Sequence, residues 1–193
     1  MAEEASDEDL VVAFKRGDVR AYDMLFRRYQ APVFNYVSRM VGSRQAGEDL
    51  AQETFYKAFV ALGRTRTETH FRAWLYRIAT NAAISHLRRR GGQSVSLDGG
   101  EDPPEVPATD TSDDPEASQL RRETAEVVHR VLRLLPDSYR QILLLRDHHG
   151  LSYLEIGEVM GLSVEAVTSL LFRARREFRQ RYLEAAVPPG LGR

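Results

Sequence analysis

The stretch LSYLEIGEVMGLSVEAVTSLLFRARREFRQRY, Leu151 to Tyr182, decides the fold of the C-terminal part of the chain. Ser152 followed three residues later by Glu155 is a capping box, which starts a short helix. Ile156, Val159 and Met160 give that helix an apolar face. Gly161 permits a sharp turn, as glycine does past a helix end. Ser163 can cap a second helix, and Glu165 in its first turn suits the positive end of the helix dipole. Two short helices joined by a three- to four-residue glycine turn form the helix-turn-helix pattern. Val167, Leu171, Ala174 and Phe178 follow one helical stripe and are expected to pack inward. Glu165, Ser169, Phe172, Arg173 and Arg176 form the opposite stripe, with polar groups early, an exposed aromatic ring and guanidiniums later. Polar side chains at the start of such a helix can reach base edges, and arginines further along can clamp phosphates. An ordinary helical hairpin with a solvated basic face is the plainer alternative.

Upstream, Leu120, Val127, Val128, Val131, Leu134 and Leu135 are expected on one face of a helix. Pro136 breaks that helix and can open the next, which carries Tyr139, Ile142 and Leu143. His148, His149 and Gly150 form a stop. Before this block lies GGQSVSLDGGEDPPEVPATDTSDDPE, Gly91 to Glu116, whose Gly, Pro, Ser and Asp content cannot offset the chain entropy lost on folding. It reads as a flexible acidic linker. The first block is again helical. Leu25, Phe26, Tyr29, Val33, Val37, Met40 and Val41 recur at helical spacing despite Pro32, and Gly42 and Ser43 end that run. A second helix covers Arg44 to Leu62, and Gly63 to Thr69 form a polar loop. Phe71, Trp74, Leu75, Ile78 and Ala82 mark one face of a further helix, which runs to Arg90. The expected architecture is all-α: two small helical bundles joined by a flexible acidic linker, the second ending in a helix-turn-helix. The boundaries are an acidic tail at 1–9, a first domain at 10–90, a linker at 91–117, a second domain at 118–183 and a tail at 184–193.

Charge follows the same partition. The chain has 193 residues and a net charge of −1, with 27 Lys and Arg against 28 Asp and Glu. Residues 1–9 hold five acids and residues 91–118 eight, and neither stretch has a Lys or Arg. All 27 basic residues therefore face only 15 acids in the two blocks. Such segregation reads as polyanion-binding surfaces flanked by solvated segments, although a basic surplus can also serve solubility alone. With no cysteine, disulfides and thiolate metal sites are excluded, which suits a reducing cytoplasm. No apolar run approaches the ~20 residues of a bilayer span, and the acidic start lacks a signal core.

The first block carries two further polar rows. In AGEDLAQETFYKAFVAL, Asp49, Gln52, Glu53 and Tyr56 share one helix face, an acidic stripe on a basic domain. It reads either as a solvated face or as a protein-docking surface. In FRAWLYRIATNAAISHLRRR, Arg77, Asn81, Ser85 and Arg88 align opposite the aromatic core, and the helix ends in Arg88, Arg89 and Arg90. No acidic or His cluster completes a metal site around Asp49 and Glu53. His70, His86 and His129 stand alone, and the adjacent His148 and His149 would point apart on a helix. Neither catalysis nor a cofactor is expected.

Taken together, GEDLAQETF, FRAWLYRIATN, HLRRR, LPDSYRQILLLRDHHGLSYLEIGEVMGLS and FRAR resemble the extracytoplasmic-function (ECF) sigma factors of the sigma-70 superfamily, over about residues 10–90 and 118–182. The resemblance implies a sigma-2 domain whose Asp49, Gln52, Glu53 and Tyr56 dock on the β′ clamp helices of core RNA polymerase. It implies capture of the unwound −10 promoter strand by the loop from Gly63 to His70 and the following helix, through Arg64, Arg66, His70, Trp74, Arg77, Asn81, Ser85, Arg88 and Arg89. A sigma-4 domain on the β flap would read the −35 element through Ser152, Glu165, Thr168, Ser169, Phe172, Arg173 and Arg176. It further implies an anti-sigma factor, stress-type regulation of a specific regulon, and no membrane insertion. The acidic linker would imitate RNA on its way to the exit path. Many relatives carry a basic residue where this chain has Thr168 and another at Leu170, and an aromatic in the −10 loop that GRTRTETH lacks. These departures make the base preference this chain's own. The competing readings are a dimeric operator-binding regulator, which would not need the Asp49 stripe, and a nucleic-acid enzyme.

Overall fold

The computed structural model describes residues 5–64, 70–91 and 115–186 of the chain. Among them regular structure is helical throughout. In chain order the helices are α1 (Asp7–Lys15), α2 (Val19–Val41), α3 (Arg44–Leu62), α4 (Phe71–Gly91), α5 (Pro115–Leu134), α6 (Asp137–Leu143), α7 (Tyr153–Met160) and α8 (Val164–Ala186). A π-helical turn, Leu144–His148, extends α6. Helices α1–α4 form one bundle and α5–α8 a second, as the sequence pattern leads one to expect. No helix among the described residues is long and apolar enough to cross a membrane.

Local chemistry sets the helix ends. Asp18 caps α2 by accepting from the Arg20 backbone N–H at 3.0 Å. Gly42, in the left-handed region at φ 72°, closes α2 by donating to the Ser38 carbonyl at 2.8 Å. Ser43 then caps α3 through the Ala46 N–H. Pro32 sits inside α2 without ending it. Helix α3 crosses α2 at Gly47, where an added Cβ would lie 1.9 Å from Ser38 Oγ and 2.9 Å from Ser38 Cα. The bundle interior is rich in rings: Tyr36 and Tyr76 are fully buried edge to face at 5.3 Å, and the Tyr36 hydroxyl bonds Thr80 Oγ1 at 2.7 Å.

Three expectations are revised. Helix α1 starts at Asp7, inside the stretch read as an acidic tail. Ser6 caps it, and Asp7 accepts from Arg28 and from the Tyr29 hydroxyl on α2. On α5, Leu120 and Leu134 are exposed (65% and 56%), while Val131 and Leu132, and Leu135 just after the helix, are buried. Leu134 is the last residue of α5 and Leu135 the first beyond it, so the two are not on one helical face and only the second turns inward. Phe26 is 39% exposed, with its ring against Phe55 at 4.8 Å.

The two bundles also meet. Helix α7 packs on α4, and α6 approaches α2. The guanidinium of Arg140 on α6, 7% exposed, donates to the carbonyls of Leu132, Arg133 and Leu135 at the end of α5 and to the Met40 carbonyl of α2 at 2.6 Å. One buried side chain thus finishes α5 and ties it to the other bundle.

Candidate nucleic-acid interface

The helix-turn-helix is built as its sequence pattern requires. The Ser152 hydroxyl accepts from the Glu155 N–H at 3.2 Å, and the Glu155 carboxylate accepts from the Ser152 N–H at 2.7 Å. Gly161 is left-handed at φ 69°. Ser163 accepts from the Ala166 N–H at 3.2 Å and opens α8. Within α8, Val167, Leu171 and Ala174 are buried and Phe178 packs on the same core. Glu165, Thr168, Ser169, Phe172, Arg173 and Arg176 are all exposed, Phe172 to 70%. The Glu165 carboxyl is held below its usual range by its own backbone N–H and the Ser163 hydroxyl, so it stays an acceptor. Two hydroxyls on the expected reading face are already engaged: Ser152 in its capping box, and Thr168 donating to the Val164 carbonyl at 2.9 Å. Arg175, on the flank, pairs instead with Asp147.

The turn itself is tight. An added Cβ on Gly157 would stand 2.7 Å from the Leu162 carbonyl oxygen. Gly157→Ala is therefore expected to push the turn outward and tilt α8 on α7. Melting temperature should fall by several degrees, and binding to a promoter duplex should weaken roughly tenfold, about 1.4 kcal/mol. Thermal unfolding and fluorescence anisotropy read the two effects, and unchanged values in both would show that the turn relaxes freely.

On the first bundle, Asp49, Gln52 and Tyr56 are exposed on α3, Tyr56 to 72%, and Glu53 beside them pairs with Lys57. Phe59 and Val60, 43% and 41% exposed, continue this surface toward the end of α3. They were not singled out in the sequence, although Phe59 lies one helical turn beyond Tyr56. On α4, Arg77, Asn81, Ser85, Arg88 and Arg89 are exposed, and Trp74 is half-buried against Phe71 at 5.8 Å. Arg64 is exposed just after α3. Arg66 and most of the loop lie outside the described residues, as do most of the linker and both chain ends.

The histidines are less isolated than their spacing suggests. His70, with φ 64°, bonds Glu158 of α7 through Nδ1 at 2.6 Å. His129 and His148 line one apolar cavity together with Arg39, and His148 contacts Arg39 directly. His149 packs between the Tyr36 and Tyr76 rings and bonds the Tyr76 hydroxyl through Nδ1 at 2.9 Å. Burial, with His148, Arg39 and Arg72 nearby, pushes the His149 imidazole down to about 3, so it is neutral at neutral pH. Among the described residues no group of three or more His, Asp or Glu could hold a metal ion.

Residues 25–93 match the family model for Sigma-70 region 2, and residues 125–178 that for Sigma-70, region 4. The RNA polymerase sigma-H factor of Pseudomonas aeruginosa is 39% identical over 179 residues, spanning 91% of this chain and 93% of that protein. The chain belongs to the ECF sigma factors of the sigma-70 family. The ECF RNA polymerase sigma-E factor of Escherichia coli K12 is 37% identical over the same shares of both chains. In fold, the ECF chain is similar to CnrH, solved in complex with the cytosolic domain of CnrY (TM-score 0.70, 24% identity, 94% of this chain and 99% of that one). It is likewise similar to the sigma factor RpoE of Bartonella quintana, solved with the anti-sigma factor NepR (TM-score 0.69, 21% identity, 88% and 100%). As an RNA polymerase sigma factor, the chain acts in the initiation of transcription.

Proposed function

We propose that this sigma factor joins core RNA polymerase through the α3 surface at Asp49, Gln52, Glu53 and Tyr56 and holds promoter DNA at two points. The first point is the −10 element, taken as a single strand by Arg64, Arg66, His70, Trp74 and the α4 row of Arg77, Asn81, Ser85, Arg88 and Arg89. Bases splayed from a melted strand stack on rings and pair with polar edges, which stabilises open DNA without external energy. The second is the −35 element, read in the major groove by Glu165, Thr168, Ser169 and Phe172, with Arg173 and Arg176 on phosphates and Ser152 at the start of α7. Glu165 suits a cytosine amino group, and Phe172 a thymine methyl. The chain itself supplies no bond-making step, and its place of action is the cytoplasm, where polymerase and DNA are. A regulatory partner of the anti-sigma kind is part of this reading, supported by the fold neighbours solved with such partners.

The observation that carries the reading is a pairing of chemistries. An acidic-aromatic row on α3, exposed but for the half-buried Glu53, and exposed basic-polar rows on α4 and α8 are each backed by a buried apolar face of their own helix. An operator-binding regulator would need only the α8 row. The test is run-off transcription with core polymerase on genomic DNA, with 5′ ends mapped. New start sites sharing two upstream boxes are expected, and no new start sites would overturn the reading.

A further inference from the structure

The seam between the two bundles is tied by Arg140 on the Met40 carbonyl and by Arg72 on the His149 carbonyl. The chain neighbours of those two acceptors, Arg39 and His148, line a cavity of about 300 Å³. Its walls are apolar: Val128 and Leu132 come from α5, Leu144 from the π-helical turn and Phe178 from α8. Its polar groups are Arg39, His129, His148 and Asp147. Asp147 is already committed, since its carboxylate accepts from Arg175 through Nε at 3.2 Å and through Nη2. Arg39 has no such match. Among the described residues no carboxylate pairs with it, its Nε is buried without a hydrogen-bond partner, and its side chain contacts only the His148 ring. We infer that this cavity is a binding site for a small amphiphilic carboxylate, whose headgroup pairs with Arg39 and whose chain or ring lies on the wall of Val128, Leu132 and Phe178.

The chemistry of the cavity selects the ligand. A guanidinium drawn partly out of water without a counter-charge is costly, and an anion beside it recovers that cost. A carboxylate suits it best, because two oxygens match two N–H groups of the planar fork. His129 adds a second donor. Burial, with Arg39 and Arg133 beside it, pushes its imidazole down to about 4, so the ring is neutral at neutral pH and keeps one N–H to give. The apolar walls decide the rest. Inorganic phosphate would turn oxygens toward Leu132 and Phe178, where nothing donates to them, and an alcohol of the same chain would leave Arg39 unmatched. The volume lies at the small end of ligand pockets, which favours a short chain or a single ring over a long-chain lipid. Arg39 belongs to α2 and the walls to α5 and α8, so neither bundle holds the whole site. The inference depends on neither the polymerase surface nor the promoter rows.

Octanoate is the probe, with octanol, octylamine and inorganic phosphate as comparisons, each titrated into the full-length chain by calorimetry and by thermal unfolding. Octanoate is expected to bind at one saturable site and roughly tenfold or more tighter than octanol or phosphate, with no binding of octylamine. At about a hundredfold above its Kd it should raise the melting temperature by about 5–10 °C. Two substitutions act on different parts of the site. Arg39→Gln should bring octanoate down to the affinity of octanol. Ala125→Leu, which extends a half-buried wall residue into the cavity, should remove binding of both while the unliganded chain melts no lower than the parent. The second variant keeps the test decisive if the first unfolds. Equal affinity for octanoate and octanol would overturn the pairing with Arg39, and phosphate binding as tightly as octanoate would overturn the amphiphilic ligand. No saturable binding in the parent, or binding that Ala125→Leu leaves unchanged, would overturn the site itself.

Discussion

Asp49→Lys combined with Glu53→Lys abolishes binding to core RNA polymerase, with a loss of roughly a hundredfold or more, and leaves helical content and melting temperature unchanged. Both halves of this expectation come from position. Asp49 is exposed, and Glu53 pairs with the neighbouring Lys57 on the same helix, a partly exposed pair, so among the described residues reversal breaks no buried ion pair. At a docked surface the same carboxylates lose water and face a complementary potential. Removing one partner of a desolvated charge pair costs about 2–5 kcal/mol, and reversal adds repulsion. At about 1.4 kcal/mol per decade, two reversals exceed two decades. Tyr56, 72% exposed, has the size and ring to be an anchor of the same surface, and Tyr56→Ala should weaken binding without changing salt dependence. A titration of labelled chain with core enzyme measures both variants. Unchanged affinity in the double lysine variant would remove the α3 surface from the interface.

Arg140→Ala carries the largest expected loss of stability. The guanidinium is 7% exposed and spends its N–H groups on four backbone carbonyls, with Asp137 at 3.4 Å as its nearest carboxylate. Three of those carbonyls lie at the end of α5, where a helix terminus must be satisfied from outside, and of the three the Leu132 carbonyl also accepts from the Leu135 N–H at 3.2 Å. Removing the side chain takes the guanidinium donor from the Arg133, Leu135 and Met40 carbonyls and opens a void. A loss of about 3–5 kcal/mol is expected, which for a chain of this length lowers the melting temperature by about 10 °C. Arg140→Lys should recover little, because an ammonium cannot reproduce the planar fork that reaches α5 and Met40 together. Thermal unfolding followed by circular dichroism decides it, and a shift below about 3 °C would show that water replaces the guanidinium without cost.

What was legible in the sequence was whatever depends on near neighbours. The capping box at Ser152 and Glu155, the left-handed Gly161 and the inward stripe of Val167, Leu171 and Ala174 are local patterns, and the structure reproduces them. The start of α1 was not legible, because the ties that hold Asp7 run to Arg28 and Tyr29, more than twenty residues away. Without those partners, an acidic segment reads as solvated tail. The rotation of α5 was also hidden: adjacent leucines at 134 and 135 leave the inward choice to the neighbouring helices. The surfaces were legible as rows of side chains, but the seam was not. Arg72 and Tyr76 stand one turn apart beside the polar row of α4, which could have marked a second face of that helix. Their partners at His149 and Glu155 lie in the other bundle.

The kind of acceptor used at the seam has an evolutionary consequence. Arg140 donates to the Met40 carbonyl and Arg72 to the His149 carbonyl, so two of the bonds between the bundles end on backbone atoms. Backbone acceptors are present whatever side chain occupies the position. Substitution at residue 40 or residue 149 can therefore drift without erasing those bonds, provided the helix ends stay in place. Halves exchanged between related chains would keep this part of their fit, while Tyr76–His149 and His70–Glu158 would have to be matched pair by pair. The joint is thus divided into a portion that tolerates recombination and a portion that records common ancestry.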